Sequence, residues 1–293
     1  MKSMSHKLRI LYAADLHGSI AHYHKLLSAT ATRKADCLVI GGDLLPGGKS
    51  LAPAADAQKR FIIDHLRPLF KEFREANRGK TIYLMMGNDD FAVNMDRLEE
   101  MESDGLVKLL HLRAHPLSDS LFVAGYGCVP PTFFLIKDWE RLDVERAAVP
   151  VHSYQACSST ANGIEAVDAR EWFLSHNTIS EDLETLARLS DPASTVYVIH
   201  APPYATKLDV LHSGHHAGSR SVRSFIEKYA PPLTLHGHIH ESHYMTKKTT
   251  DRIGSTICIN AGQTAQALHA VTIDMIGKDV RKIISFPGSK AVL

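Results

Sequence analysis

Cysteine is scarce in this chain of 293 residues: four, at Cys37, Cys128, Cys157 and Cys258, with no Cys-x-x-Cys pair among them. That spacing excludes a disulfide framework, and buried free thiols in a reducing cytoplasm fit it best. An excess of charge is also missing, with 33 Lys and Arg against 32 Asp and Glu. The balance argues against an extended face for duplex nucleic acid. No apolar run approaches the roughly 18 residues of a membrane helix. The apolar stretch 10–14 is too short for an export signal and runs straight into Asp15. There is no repeat, low-complexity tract, charge block or linker. A hydrophobic share of 44% and a charged share of 22% are those of a globular protein. The expectation is one domain over 1–293. Histidine, by contrast, is abundant at 18, and position must decide which of them carry chemistry.

Short apolar runs at 9–14, 37–40, 81–86, 121–124, 195–199, 233–235 and 256–259 read as buried strands. Helix-like spacing at 58–76, 180–189 and 219–229 lies between them. Strand and helix in alternation predict an α/β fold. Residues 270–276 and 280–286 flank Gly277-Lys278-Asp279 and predict a hairpin, which makes two sheets plausible. The stretch 128–194 is less regular, with Pro130-Pro131, Trp139 and Trp172. It reads as an insertion that leaves the sheet.

The apolar runs share one feature, the way they end. The first ends in Asp15-Leu16-His17, the second in Gly41-Gly42-Asp43 and the third in Gly87-Asn88-Asp89-Asp90. Two later ones end in His200 and in His236-Gly237-His238-Ile239-His240. Ligands of open α/β sheets bind outside the carboxyl ends of strands, so these ends are expected to converge. If the strands stay extended, Asp15 with His17, and His238 with His240, point to one side. Asp15, His17, Asp43, Asn88, His200, His238 and His240 are all oxygen or nitrogen donors. Seven donors suit two divalent ions sharing a carboxylate. The surplus positive charge would attract a phosphate and acidify a bound water.

This order of motifs resembles the calcineurin-like metallophosphoesterases, whose pattern is Asp-x-His, Gly-Asp, Gly-Asn-His or a variant, a lone His, then Gly-His-x-His. The likeness spans about residues 8–262. It looks closest to the small bacterial and archaeal branch related to the Icc-type cyclic-nucleotide phosphodiesterases, through Val198–Pro203, Gly237–Ser242 and Ile259-Asn260-Ala261-Gly262. The resemblance implies a four-layer α/β/β/α sandwich with two mixed sheets. It implies Asp15, His17, Asp43 and His240 around one metal, and Asp43, Asn88, His200 and His238 around the other. Manganese or iron comes first for such a donor set, with zinc, nickel or cobalt also compatible. The implied reaction is hydrolysis of a small phosphate ester, diester ahead of monoester, by a hydroxide bridging the ions. Nucleotides and cyclic nucleotides are among the compatible substrates. Asn88, Asp89 and His200 are the residues expected to act on the phosphate. Asp89 is a departure, because many members carry histidine there as the leaving-group acid. A carboxyl group serves as an acid only with a raised pKa, which two cations oppose. Asp90 is the alternative in that stretch, as an orienter of Asn88 or of a histidine.

A different class of function is a non-catalytic scaffold of the same fold; retention of all seven donors argues against it. His216, Gly218 and Ser219 precede the helix at 219–229, where free N–H groups and Arg220 and Arg223 would suit a substrate anion. A plain N-cap serine explains the same residues. The insertion is expected to shape the substrate side of the cleft through Lys137, Arg141 or His152; a contact between copies of the chain is the alternative.

Overall fold

The computed structural model describes residues 7–47, 51–144 and 156–287. Its strands are β1 (Lys7–Ala13), β2 (Cys37–Gly41), β3 (Thr81–Met85), β4 (Lys108–Leu109), β5 (Ala114–Ser118), β6 (Leu121–Tyr126), β7 (Ala156–Thr160), β8 (Gly163–Val167), β9 (Thr195–Ile199), β10 (Leu233–His236), β11 (Thr250–Ile253), β12 (Thr256–Asn260), β13 (Ala270–Ile276) and β14 (Asp279–Phe286). Its α-helices are α1 (Ile20–Thr32), α2 (Leu51–Phe61), α3 (Arg67–Ala76), α4 (Met95–Ser103), α5 (Ala169–Ser175), α6 (Ile179–Leu186), α7 (Arg220–Tyr229) and α8 (Ser242–Thr246).

Two six-stranded mixed sheets form the centre. One runs β14-β13-β1-β2-β3-β4, the other β11-β12-β10-β9-β6-β5. In the first, β1, β2, β3 and β4 are parallel; in the second, β6, β9, β10 and β12 are. The hairpin expected near the C-terminus is β13–β14, antiparallel and joined to β1.

The two periods of each strand explain the layering. Ile10 and Tyr12 of β1 and Val39 of β2 face Val196 and Val198 of β9 and Leu233 and Leu235 of β10 in one inter-sheet core. The alternate residues point outward. Leu11, Leu38 and Ile40 pack with Leu26 of α1 and Phe70 of α3, and Tyr197 and Ile199 pack with Leu183 of α6 and Phe225 of α7. Central strands buried on both faces therefore read as continuous apolar runs instead of alternating ones. Helix, sheet, sheet, helix is the four-layer α/β/β/α arrangement. Across the inter-sheet core the Tyr12 hydroxyl donates to His236 O at 2.7 Å and ties the sheets together near their carboxyl ends.

The helix expected at 58–76 is interrupted. A π-helical turn, Ile62–Leu66, separates α2 from α3. Pro68 lies in the first turn of α3, where its missing N–H removes one ladder bond and a wider turn accommodates the break. The apolar runs did not disclose α1. Its buried face, His22, Tyr23, Leu26, Leu27 and Thr30, has helical spacing but mixes polar with apolar side chains.

Among the described residues of the insertion, β7 and β8 pair as a separate two-stranded sheet, bridged at Cys157 to Ile136, and add to neither large sheet. The side chains offered there to a substrate are engaged internally. Lys137 is fully buried against Glu140 Oε2 at 2.9 Å and also donates to Thr132 O at 3.0 Å. Arg141 lies over the Trp172 ring at 5.9 Å and donates to Glu140 O at 2.8 Å. His152 lies outside the described residues. All four cysteines are buried and unpaired. Among the described residues, no helix is long and apolar enough to cross a membrane.

Candidate metal centre at the seam of the two sheets

The strand ends converge, though not by the extended geometry that strand periodicity predicts. β1 stops at Ala13 and β10 at His236, before any of the paired donors. Asp15, His17, Asp43 and His238 have φ of 58°, 43°, 50° and 65°. Left-handed backbone at non-glycine residues is uncommon and persists where the surrounding fold imposes it. Here the two loops impose it on each other: Asp15 N–H donates to Gly42 O at 3.0 Å and His17 N–H to Asp43 O at 2.9 Å.

One atom each from Asp15, His17, Asp43 and His240 lie within 4.8 Å of one another. His17 Nε2 and His240 Nε2 are 3.1 Å apart, and His240 Nε2 is 3.6 Å from Asp15 Oδ1. Asp15 is 1% exposed, and its Oδ2 has no hydrogen-bond partner among the described residues. A buried carboxylate oxygen left unsatisfied is expensive, and a cation is the partner that suits it.

A second group adjoins the first through Asp43. His200 Nε2 lies 3.3 Å from Asp43 Oδ2 and 3.2 Å from Asn88 Oδ1. The His238 ring is tilted against the His200 ring at 5.5 Å. His200 Nδ1 lies 2.7 Å from Gly41 O. Donation to that carbonyl places the proton on Nδ1 and aims the other nitrogen into the cluster, as metal-ligating histidines commonly do. Burial opposes charge on both His200 and Asp43, but their attraction outweighs it. His200 is pushed up to about 10 and the Asp43 carboxylate is held well below its usual range. Burial, reinforced by His200, lowers His238 to about 3, leaving it a neutral imidazole.

Glycine is required at the centre of this packing. A Cβ at Gly87 would stand 2.7 Å from His200 Nε2 and 2.6 Å from Asp43 N, and one at Gly237 would stand 2.8 Å from Asp15 Oδ2.

The Gly87–Asp90 turn divides its labour in a way its sequence does not reveal. Asp90 is fully buried and accepts from the N–H groups of Leu44, Leu45 and Gly87 at 3.0, 2.8 and 2.9 Å. It holds the β2 and β3 loops together, and through Gly87 N–H the turn that carries Asn88, with its bonds made to backbone and not to the Asn88 side chain or a histidine. Burial and Asp43 nevertheless raise its carboxyl group to about 7. Asp89 is 36% exposed, 3.6 Å from His17 Nδ1, and accepts from the Asn88 carboxamide at 2.8 Å. Burial and then Asp43 raise it to about 6.

The groups proposed to meet a substrate before α7 are occupied within the chain. Asp143 accepts from Arg220 N–H at 2.7 Å and Ser221 N–H at 3.2 Å, and it is bonded to the Ser219 hydroxyl. The helix start therefore already carries an anion from its own chain. His216 Nδ1 and Gly218 N lie 2.7 and 3.0 Å from the buried Asp209 carboxylate.

Two positioning residues escaped the motifs. Gln58 donates to Asp89 O at 2.8 Å and accepts from Phe91 N–H at 2.7 Å, which clamps the Asn88 turn from α2. No local signal marks it. Asn260, at the end of β12, places its amide 3.1 Å from both Gly237 O and Ile239 O and accepts from Gly262 N–H at 2.9 Å. Its motif was visible, but its task of shaping the His238–His240 turn was not.

Known proteins resemble this chain in sequence pattern and in fold. The profile of the calcineurin-like phosphoesterases matches residues 8–242. No curated protein is significantly similar in sequence. One solved chain aligns with 96% of this chain and 100% of its own at 17% identity and a TM-score of 0.64. TT1561 of Thermus thermophilus covers 94% and is itself covered to 98%, at 17% identity and a TM-score of 0.57. For a dimetal phosphatase from Danio rerio the shares are 97% and 98%, at 10% identity and a TM-score of 0.54. At such identities the structural likeness is one of fold, whereas the sequence profile spans most of the chain. On that match, the chain belongs to the calcineurin-like phosphoesterase family.

Proposed function

We propose that this chain hydrolyses a small phosphate ester, a diester ahead of a monoester, at two divalent cations. Asp15, His17, Asp43 and His240 hold one ion; Asp43, Asn88, His200 and His238 hold the other. The observation that carries the reading is the gathering of buried carboxylates and imidazoles at the sheet seam, with Asp15 Oδ2 left without a partner. Manganese or iron is the first choice for this oxygen and nitrogen set. The fold shared with a dimetal phosphatase agrees with two ions.

Divalent cations held there would supply Lewis acidity, lowering the pKa of a bound water and offsetting charge on the phosphate. The chain's own residues place and orient. Gly41 O fixes the tautomer of His200. Gln58 and Asp90 hold the turn that presents Asn88. Asn88 turns its Oδ1 inward and its amide toward Asp89. Nearby cations would pull the Asp89 carboxyl group down from about 6. That leaves Asp89 as an ionised group steadying the Asn88 carboxamide, and a poor proton donor near neutrality.

Metal analysis after gentle purification should find close to two equivalents per chain. A panel of aryl and nucleotide diesters and monoesters on reconstituted protein then tests the reaction. Well-folded protein that never takes up a second ion overturns the two-ion reading, and loaded protein that cleaves no ester overturns the activity.

A further inference from the structure

Phe91 follows the Asn88 turn and opens a 3₁₀ turn, Ala92–Asn94, that continues into α4. The first N–H groups of such a turn need acceptors from outside it, and Phe91, at the cap position, has no side chain to offer one. Three distant side chains supply them. Phe91 N–H donates to Gln58 Oε1 of α2 at 2.7 Å, Ala92 N–H to Asp138 Oδ2 at 2.9 Å and Val93 N–H to Ser159 Oγ of β7 at 2.9 Å. Gln58 belongs to the core of the fold; Asp138 and Ser159 belong to the insertion.

Asp138 and Ser159 act as one unit. Asp138 is 6% exposed, its Oδ1 accepts from Ser159 N–H at 2.9 Å, and its Oδ2 also accepts from the Ser159 hydroxyl. The hydroxyl thus gives its proton to Asp138 and keeps a lone pair for Val93 N–H. Backbone bonds fix the unit from both sides: Lys137 N–H donates to Cys157 O at 2.9 Å, and Arg141 N–H to Val129 O at 3.0 Å. Apolar packing repeats the same union. Phe91 is buried with Ile136 and Cys157 of the insertion and Ala54 of α2, in a cluster separate from the two main cores.

The other end of this short stretch is the metal centre. Asp90 N–H closes the turn on Gly87 O at 3.2 Å, and Asn88 Oδ1 lies 3.2 Å from His200 Nε2. Asp89 and Asp90 alone separate Asn88 from the clamped residues. A shift at Phe91–Val93 is therefore passed on to the Asn88 oxygen, as happens when the partners that orient a metal ligand are disturbed.

We infer that Asp138 and Ser159 are positioning residues for the cation at Asn88, His200 and His238, so that the insertion buttresses the metal centre. The inference rests on the two-ion reading above and gives the insertion a part in it. The effect runs through Ala92 and Val93, not through contact with substrate.

The test is titration of metal-free protein with cobalt(II), followed by calorimetry and by the visible absorption of the bound ion. Native protein should bind two equivalents. Ser159→Ala removes the acceptor of Val93 N–H, and Asp138→Ala removes that of Ala92 N–H. Each should weaken the second equivalent by about tenfold or more and leave the first within about twofold. Ser159→Thr keeps the hydroxyl and should keep the native titration. Asp274→Asn, remote from the site, is the destabilised control and should bind both ions as native protein does. Native affinities in both alanine variants overturn the positioning role. Equal weakening of both ions does the same, and so does Ser159→Thr behaving as Ser159→Ala. If Asp138→Ala does not fold, the two Ser159 variants decide. Native protein that binds a single equivalent overturns the two-ion reading, and the inference with it.

Discussion

The imidazole of His200, at the end of β9, reaches across the seam to the Asp43 carboxylate at the end of β2, with Nε2 3.3 Å from Oδ2. The contact joins one six-stranded sheet to the other, and both side chains are buried. Correct stacking of the sheets is therefore a condition for assembling the site. It also means that the cluster residues differ in what they cost the fold when removed.

Asp43→Ala and His240→Ala should separate on that account. Both should lower hydrolysis of an aryl phosphodiester on the order of a hundredfold or more, with loss of bound metal. Asp43→Ala leaves buried His200 without its counter-charge and should destabilise the metal-free protein by about 3 kcal/mol. The His240 side chain is 38% exposed, so its removal should cost within about 0.5 kcal/mol. Urea unfolding of both metal-free variants checks this; equal losses of stability would contradict it.

Gly87→Ala adds a single methyl group, yet that carbon would sit 2.7 Å from His200 Nε2. His200 must shift and Asp43 with it. The expected result is a folded protein with weakened metal uptake and activity reduced by about tenfold or more. Metal content at full expression is the measurement. Undiminished uptake would mean the loop moves aside freely.

Asp89→Ala should be milder than Asn88→Ala, because Asp89 steadies the carboxamide and does not itself face His200. Its effect should be the same on an activated aryl ester and on an alkyl ester with a poor leaving group. A loss on the alkyl ester larger by about tenfold would identify Asp89 as the leaving-group acid after all.

Away from the site, Arg9 holds Asp274 through two contacts of 2.5 and 2.9 Å, linking β1 to β13. The hydrogen bond from Arg9 holds the Asp274 carboxyl below its ordinary value of 3.8. A carboxylate with a depressed folded pKa contributes stability that is complete above its unfolded pKa and lost as pH falls through the folded one. Asp274→Asn should therefore cost about 1 kcal/mol at pH 7, and the gap should narrow only below about pH 4. Denaturant midpoints at neutral pH and at pH 3 test the sign. A gap that widens in acid would reverse it.

Much of this was legible in the residues alone. Each parallel central strand announced itself as an apolar run, because burial on both faces leaves no polar alternation. The abrupt change to Asp, Asn, Gly and His at each run's end marked where donors gather. Ser219 as the cap of α7 was equally readable, since capping is a contact over three residues. Elements with mixed faces were not: α1, the β7–β8 pair and the π-turn before Pro68 depend on what packs against them.

The order and chemistry of the seven donors belong to the sequence, because a strand and its end are decided by neighbours a few residues apart. Which donors meet belongs to the tertiary structure: His17 and His240 are separated by 223 positions and brought to 3.1 Å only by the stacking of two sheets. The same packing imposes left-handed backbone on Asp15, His17, Asp43 and His238, against the extended geometry that local periodicity favours. It also places Asp143 over the start of α7, a partnership set by a residue 77 positions away and invisible to any local pattern.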